Sequence, residues 1–304
     1  MFRFPPVRHL AAAAHVLRIL VFTALFVVAT TARAESQAAP AYWKIERGEA
    51  TVYLFGAIHL MTPAVPWFTP SLREVFNSSD TLVLEVSPDE LAPNAMRDLM
   101  ARYGVYPNGE TLKDHVPAEL YSALMAQAAK IGFPEQGLSH MRPWLAGVIL
   151  AAQAAVQRGF LPEYGVDLAL MNAASAMGKS VIGLETADSQ FSMFAQLSDA
   201  AQARLLEVSL EDLEDIEGLF EDLRDAWLAG DRQALAAPLL DSLAKVPGAL
   251  EKLLVQRNRR WVPQITALLS GKGTYFVAAG AAHLLGKNSV IKLLEAEGLT
   301  VERQ

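Results

Sequence analysis

The pattern Gly-Ala-x-His-Leu occurs twice in this chain of 304 residues, once near each end, and each copy closes a run of strand-forming residues. The first copy, Gly56 to Leu60, follows Val52-Tyr53-Leu54-Phe55; the second, Gly280 to Leu284, follows Tyr275-Phe276-Val277-Ala278-Ala279. Short apolar runs rich in β-branched and aromatic residues read as buried strands. Two further runs of this kind end on a carboxylate, Thr81-Leu82-Val83-Leu84-Glu85 and Ser180-Val181-Ile182-Gly183-Leu184-Glu185. In an open α/β sheet, ligands bind outside the carboxyl ends of the strands. The pattern therefore places two imidazoles and two carboxylates where a site belongs. His59 and His283 lie 224 positions apart, too far for a tandem repeat, but the strands that carry them can still be neighbours in one sheet.

The rest of the chain fits around such a sheet. Tyr42 to Glu46 and the run from Thr51 read as a hairpin turning at Gly48. Ser71 to Asn77 reads as a short helix, and Asp89 to Tyr103 as a longer one. Pro117 and Pro143 sit as first-turn prolines for helices over 118–131 and 144–158. A helix over 165–177 ends at Gly178. The stretch 189–269 is mostly helical, broken near Gly230 and Pro247-Gly248. A strand over 274–279, a helix over 290–297 and a strand over 299–302 close the chain. The expected fold is α/β, a mixed central sheet with a large helical insertion that forms a cap over roughly 89–179.

Residues 1–34 read as a signal peptide: Arg3, Arg8 and Arg18 precede an apolar stretch over 19–32, and Ala32-Arg33-Ala34 offers a cleavage site. An uncleaved anchor is the alternative, since apolar cores of signals and short spans overlap in length. The expected mature domain is 35–304, exported to the periplasm or secreted. The full chain carries 26 basic and 33 acidic residues; without residues 1–34, which hold four Arg and no acid, 22 basic residues face 33 acidic ones, a formal charge of −11. That balance argues against nucleic-acid binding, which depends on neutralising phosphates, and against anionic lipid surfaces. With no cysteine in the chain, disulfides, thiolate zinc sites and Cys nucleophiles are excluded. Any metal must be held by His, Asp, Glu or water.

His59 and His283 are the strongest candidates, each with a glycine three residues earlier that lets backbone or ligand approach closely. Neutral imidazole is the commonest metal ligand and also a general base. Glu85 is expensive to bury unless paired, hydrogen-bonded or metal-bound, which makes it a ligand or a base; a solvated sheet edge is the bland alternative. Glu185 reads equally as a functional carboxylate and as a helix-terminus residue. Gln190 and Asp167 are softer candidates. Arg257 and Asn258 open a basic cluster with Arg259 and Arg260, and one of them can orient an anionic or carbonyl oxygen. His115 and His140 do not stand out from background. Zinc-helix, nucleophile-elbow, phosphate-loop and dinucleotide fingerprints are missing from the sequence.

In its ordered set of motifs the chain resembles the TraB/GumN family, related to the Tiki proteins. The resemblance rests on Gly56 to His59, Gly280 to His283 and Glu85. Pro143-Trp144, Gly165-Val166-Asp167, Gly183-Leu184-Glu185 with Gln190, Arg257-Asn258 and the closing Gly-Ala-Ala-His-Leu-Leu-Gly run support it. It implies an EreA/ChaN/Tiki-like α/β fold and a metal-dependent peptidase site in which His59, Glu85 and His283 are ligand or catalytic positions.

Three readings follow. In the first, the protein is a metal-dependent hydrolase of peptides or another small polymer: His59, His283 and Glu85 hold a divalent ion such as Mn²⁺, Co²⁺ or Zn²⁺, and Glu185 or Arg257 assists. In the second, a histidine acts directly as base, oriented by Glu85. In the third, the protein binds a metal, haem or an exported polymer without turnover. A single shared metal requires the two rings to lie within about 10 Å, because ligand bonds are only about 2 Å long.

Overall fold

Alternation along the strands divides the molecule into layers. The computed structural model describes residues 39–107 and 109–304, which gather into one unit; the expected signal peptide, 1–34, lies outside the described residues. Successive side chains of a strand point to opposite faces. Val52, Leu54, Val83 and Val277 thus meet one layer, built on Trp261, Val262 and Ile265 of the helix Gln256–Leu268 and on Ile291 and Leu294 of the helix Val290–Ala296. Phe55, Leu82, Leu84, Phe276 and Ala278 meet the other layer, with Phe76 of the helix Pro70–Ser78 and Val166 and Leu170 of the helix Val166–Ala176. Burial on both faces is why these strands read as near-continuous apolar runs.

Six strands form the sheet: β1 Tyr42–Arg47, β2 Glu49–Ala57, β3 Thr81–Val86, β4 Ser180–Glu185, β5 Lys272–Gly280 and β6 Glu302–Arg303, in the order β4-β3-β5-β2-β1-β6. β4, β3, β5 and β2 run parallel to one another, while β1 is antiparallel to both β2 and β6. The mixed α/β architecture with helical insertions is the expected one. The hairpin turns at Gly48, whose φ of 61° is the left-handed backbone that glycine adopts without steric cost.

The two Gly-Ala-x-His-Leu segments follow paired neighbours, β2 and β5, but not in symmetric register. Gly56 lies opposite Ala279 and Ala57 opposite Gly280. A one-residue slip sends equivalent side chains to opposite faces, so the two histidines reach the site by different routes.

Two elements differ from expectation. The single helix expected over 89–103 is a 3₁₀ turn, Pro88–Leu91, followed by an α-helix, Pro93–Tyr103. Ala92 between them is extended (φ −56°, ψ 138°), because the ring of Pro93 disfavours helical backbone at the residue before it. The last strand is shorter and later than expected: only Glu302 and Arg303 pair, with Lys44 and Trp43.

Away from the sheet, Leu124, Leu150 and Ala154 pack with Leu206 and Leu210. Helices from both sides of β4, Ala118–Lys130 and Pro143–Gln157 before it and Asp199–Asp212 after it, therefore share a second core.

Candidate functional site

The four parallel strands end on one edge, and each delivers one element of the site. β3 and β5 pair only from Thr81 to Val83 opposite Tyr275 to Val277; past that point they part. Glu85, on the same side of the strand as Val83, occupies the opening. Its Oε1 accepts the Gly280 N–H at 2.7 Å. The side chain thus bonds an N–H at the end of β5 that the β3 ladder no longer reaches.

His59 follows β2 in a loop strapped to the segment 161–167. Met61 and Leu161 exchange backbone hydrogen bonds at 3.2 and 2.8 Å, and the Val166 N–H donates to Ile58 O at 2.9 Å. The approach is so close that a Cβ on Gly165 would stand 2.1 Å from the His59 carbonyl oxygen, which only glycine allows. Two residues on, Asp167 Oδ2 lies 2.7 Å from His59 Nδ1. The motif Gly165-Val166-Asp167 therefore clamps the His59 loop and orients its ring.

His283 sits in the 3₁₀ turn Ala281–Leu284 after β5 and is 3 % exposed. Its Nδ1 is 2.5 Å from Asn258 Oδ1, while Asn258 Nδ2 donates to Asn288 O at 2.8 Å. The Trp261 ring packs against the imidazole, with centroids 4.2 Å apart. Residues 257, 258 and 261 share one face of their helix, so a single element carries the partners of Glu85 and of His283.

Both imidazoles thus have Nδ1 engaged and Nε2 free, the arrangement in which an outer partner fixes ring orientation. The free edges converge over Gly280. A methyl there would stand 3.1 Å from Glu85 Oε1, 3.4 Å from His59 Nε2 and 3.7 Å from His283 Cδ2. Measured from that one point, the two rings approach within about 7 Å, inside the single-metal limit. His283 Nε2 and Glu85 Oε1 are 3.9 Å apart.

Behind this cradle lies a buried ionic cluster. Arg257 donates Nη2 hydrogen bonds to Glu85 Oε2 and Glu185 Oε1, and Nε donates to Glu185 Oε1 at 3.0 Å. Gln190 Nε2 donates to Glu85 Oε2 at 3.0 Å and to Glu185 Oε1 at 2.7 Å. Side-chain exposures of 12 % for Arg257, 14 % for Glu85 and 6 % for Glu185 put the cluster in the regime where an unpaired charge is strongly destabilising.

The charge states follow from these surroundings. Burial opposes the charge on Glu85, but the positive charge that His283 takes on at low pH, the charges of Arg257 and His59 and the Gly280 N–H overcome it and hold the pKa down to about 2. Burial, helped by the Arg257 charge, drives His283 down to about 3 against the pull of Glu85, so its imidazole is neutral at physiological pH. Burial also opposes protonation of His59, yet the hydrogen bond and charge of Asp167 raise it to about 9. The His59 ring is surrounded by protein on most sides but keeps 64 % of its side-chain surface open, since it faces a pocket. That open face governs ligand access and screens the ring's charge. The pocket, about 450 Å³, has His59, Glu85, Arg257, Gly280 and His283 at its floor.

The structure brings His59, Glu85, Arg257 and His283 together at this floor. Glu185 does not line the pocket; it is locked behind Arg257 as a positioning carboxylate. Helix capping falls to Thr186, whose hydroxyl accepts the Ser189 N–H. Of the Arg257-Asn258 pair, one of which was expected to orient an anionic or carbonyl oxygen, Asn258 orients an imidazole, its amide being committed to His283 and Asn288. Sequence reasoning missed Trp261, although its spacing of four from Arg257 on an apolar-faced helix was a usable signal.

Does this donor set suit a divalent ion? Among the described residues, no group of three or more His, Cys, Asp or Glu is arranged as a metal cluster. At Glu85, Arg257 and Gln190 hold Oε2, and Oε1 accepts the Gly280 N–H. In kind, the donors do fit. Two oriented imidazoles and a carboxylate oxygen surround the cradle that a Cβ at Gly280 would fill. Three carboxylates, Glu85, Glu185 and Asp167, outnumber Arg257 and a protonated His59 by one charge; exchanging the His59 proton for a divalent cation brings the site to neutrality.

The chain is similar over most of its length to several known proteins. The uncharacterized protein YbaP of Escherichia coli (strain K12) is 26 % identical over 249 residues, 81 % of this chain and 89 % of its own length. A metalloprotease TIKI homolog of Amphimedon queenslandica is 28 % identical over 317 residues, and metalloprotease TIKI1 of Danio rerio 26 % identical over 312; each match takes in 86 % of this chain. The chain spans about three fifths of the length of these two metalloproteases, 61 % and 62 %. No solved structure matches it significantly. The family model of the TraB/PrgY/gumN family matches residues 41–303, which takes in all six strands and every residue of the cradle, and the chain belongs to that family.

Proposed function

We propose that this protein is an exported metal-dependent hydrolase that cleaves amide bonds in peptides. The observation that carries the reading is the cradle over Gly280, where His59 Nε2, Glu85 Oε1 and the His283 ring face one point with both Nδ1 atoms tied to oriented partners. The similarity to proteins named metalloproteases supports a hydrolytic role and a metal, and the signal-like stretch 1–34 supports export to the periplasm or beyond. His59 and His283 are the imidazole donors, with Glu85 Oε1 beside them. A divalent cation of the manganese, cobalt or zinc class supplies carbonyl polarisation and a water of lowered pKa when bound there.

The chain's own residues do the rest. Glu85, ionised at working pH, accepts a hydrogen bond from the water on Oε1 and orients it. Arg257 and Gln190 keep its other oxygen fixed, so the carboxylate does not rotate away. Asp167 and Asn258 hold the two rings, with His59 Nε2 and the Cδ2 edge of His283 toward the cradle and His283 Nε2 3.9 Å from Glu85 Oε1.

One observation favours a second reading. His59 and Asp167 form a hydrogen-bonded His–Asp pair with Nε2 open to the pocket, the arrangement of a general base and its orienter. In that case His59 activates water directly in its neutral form, and hydrolysis rises as the pH approaches the ring's raised pKa of about 9. The test is metal content and peptide hydrolysis of the wild type beside His59→Ala and His283→Ala, before and after chelation. Near-stoichiometric metal that both substitutions abolish, with hydrolysis lost on chelation and restored by the ion, is the expected result. Hydrolysis that survives complete chelation would select the second reading. Bound metal with no turnover on any peptide would leave a binding protein.

A further inference from the structure

Above the polar floor, the pocket is walled by side chains that carry almost no hydrogen-bonding groups. Phe194, Leu205, Phe220, Leu239, Leu243 and Leu254 line it, and Val148 on the helix Pro143–Gln157 stands at the wall with 45 % of its surface exposed. Among the described residues, the wall's one polar side chain is Ser209, and its hydroxyl donates back to Leu205 O at 2.9 Å. A volume of about 450 Å³ falls in the range of small-molecule sites, which pair an apolar lining with a few placed polar groups. Here the polar groups are confined to one end.

The backbone shows that this wall is built and not incidental. Two π-helical stretches, Ala237–Asp241 and Glu251–Val255, interrupt the helices around the pocket. They carry Leu239 and Leu254 of the wall, and the second runs directly into the helix that bears Arg257 and Asn258. Wide π turns are rare and concentrate at functional sites. Apolar surface left facing water is unfavourable, and a ligand that fills the pocket relieves it.

The same wall excludes other ligands. A sugar hydroxyl or a carboxylate placed against it would lose its water and find no partner, a cost larger for a charge than for a neutral group. Of the cations at the floor, Arg257 is already paired to Glu85 and Glu185 and His59 to Asp167.

We propose that this pocket is a specificity subsite for a bulky aliphatic or aromatic side chain flanking the amide bond that is presented to the His59–Glu85–His283 cradle. The inference rests on the hydrolase reading for the word "flanking", but the subsite itself is testable without turnover.

The experiment has two arms on the purified protein. In the first, the uncharged fluorophore N-phenyl-1-naphthylamine is titrated into wild type, Leu243→Asp, Val148→Asp and His59→Ala, with circular dichroism and thermal melting reporting the fold. Saturable binding, weakened about tenfold or more by Leu243→Asp or by Val148→Asp at its exposed position, and retained by His59→Ala, is expected. In the second arm, blocked peptides differing only in one residue (Asp, Ala, Leu or Phe) beside the scissile bond are compared. Leu and Phe peptides should exceed Ala by about tenfold or more, the discrimination a hydrophobic pocket provides, and should exceed Asp by more still. The proposal is overturned if the probe does not saturate, if both folded wall variants bind it as the wild type does, or if Asp and Ala peptides are cleaved as fast as Leu and Phe. Probe binding that responds to the wall variants, with no peptide cleaved under any ion, would sustain the subsite and sink the hydrolase reading.

Discussion

The backbone N–H of Gly280 donates to Glu85 Oε1 at 2.7 Å, across strands whose regular pairing has already ended at Val83 and Val277. A functional carboxylate is thereby pinned to the end of the strand that also delivers His283. Gly280 contributes twice, by its N–H and by the side chain it lacks.

Gly280→Ala is the sharpest consequence. Its backbone (φ −47°, ψ 133°) suits alanine, so the fold should persist, with stability changed by less than about 1 kcal/mol. The added methyl stands 3.1 Å from Glu85 Oε1 and 3.4 Å from His59 Nε2, where metal or water must sit. Misplacing reacting groups by an ångström costs about a hundredfold, and kcat/KM should fall by at least that much. Wild-type activity in this variant would remove the cradle from the mechanism.

Arg257 tests the electrostatics. Its replacement by Met leaves Glu85 and Glu185 buried with Gln190 as their remaining shared donor, and removing one partner of a buried ion cluster costs about 3–5 kcal/mol. Arg257→Lys should recover only part of this, since one ammonium does not reproduce a guanidinium that bridges two carboxylates. Urea denaturation measures both. A loss below about 1 kcal/mol for Arg257→Met would mean the carboxylates are solvated or protonated in the native state.

Most of the sheet was legible because its strands are apolar runs bounded by Gly, Pro and polar residues; even the edge strand β4, where only Leu184 is buried, has its expected limits, 180–185. His59, Glu85 and His283 were legible for a related reason: a polar residue at the end of an apolar strand needs a partner. Register was not legible. Nothing local in the two Gly-Ala-x-His-Leu copies says that Gly56 faces Ala279 and not Gly280. Nor does local sequence reveal that Asn258, beside Arg257, turns toward an imidazole, because that depends on how the helix Gln256–Leu268 docks. The apolar wall escaped for the same reason. Leu205, Leu239 and Leu254 read as ordinary helical core, and only the packing of helices after β4 leaves their side chains around a cavity.

Asp167 is a positioning residue, and its role separates from that of the ligands. Asp167→Asn keeps a hydrogen-bonding group near His59 Nδ1 but removes the charge that raises the ring's pKa. Substitution of such outer partners weakens metal binding about 10- to 100-fold. Calorimetric titration with Mn²⁺ or Zn²⁺ should show that loss, while the His59→Ala variant binds more weakly still. In the same variant the His59 pKa, followed by NMR in metal-free protein, should fall from about 9 toward its ordinary 6.5. Unchanged metal affinity together with an unchanged pKa would show that Asp167 does not act on the ring.

The metal-free protein should also carry the site's signature in its stability as a function of pH. His283 has a folded pKa of about 3 against an ordinary 6.5, so the unfolded chain binds its proton first. Its contribution is complete above pH 6.5 and is lost as the pH falls from 6.5 toward 3. Glu85, at about 2 against an ordinary 4.5, acts in the same direction over 4.5 to 2. His59 is raised to about 9, so its contribution is complete below 6.5 and is lost as the pH rises through 9; its exposed ring makes that limb shallow. Between pH 6.5 and 4.5 the acid limb belongs to His283 rather than Glu85. One proton per molecule corresponds to a slope of up to about 1.4 kcal/mol per pH unit. His283→Gln, which retains a hydrogen-bonding partner for Asn258, should flatten the profile by up to that slope in this window and leave the region below 4.5 sloping. Denaturant unfolding at half-unit pH steps decides the matter, and an identical slope in the variant would show that His283 is not held neutral by its burial.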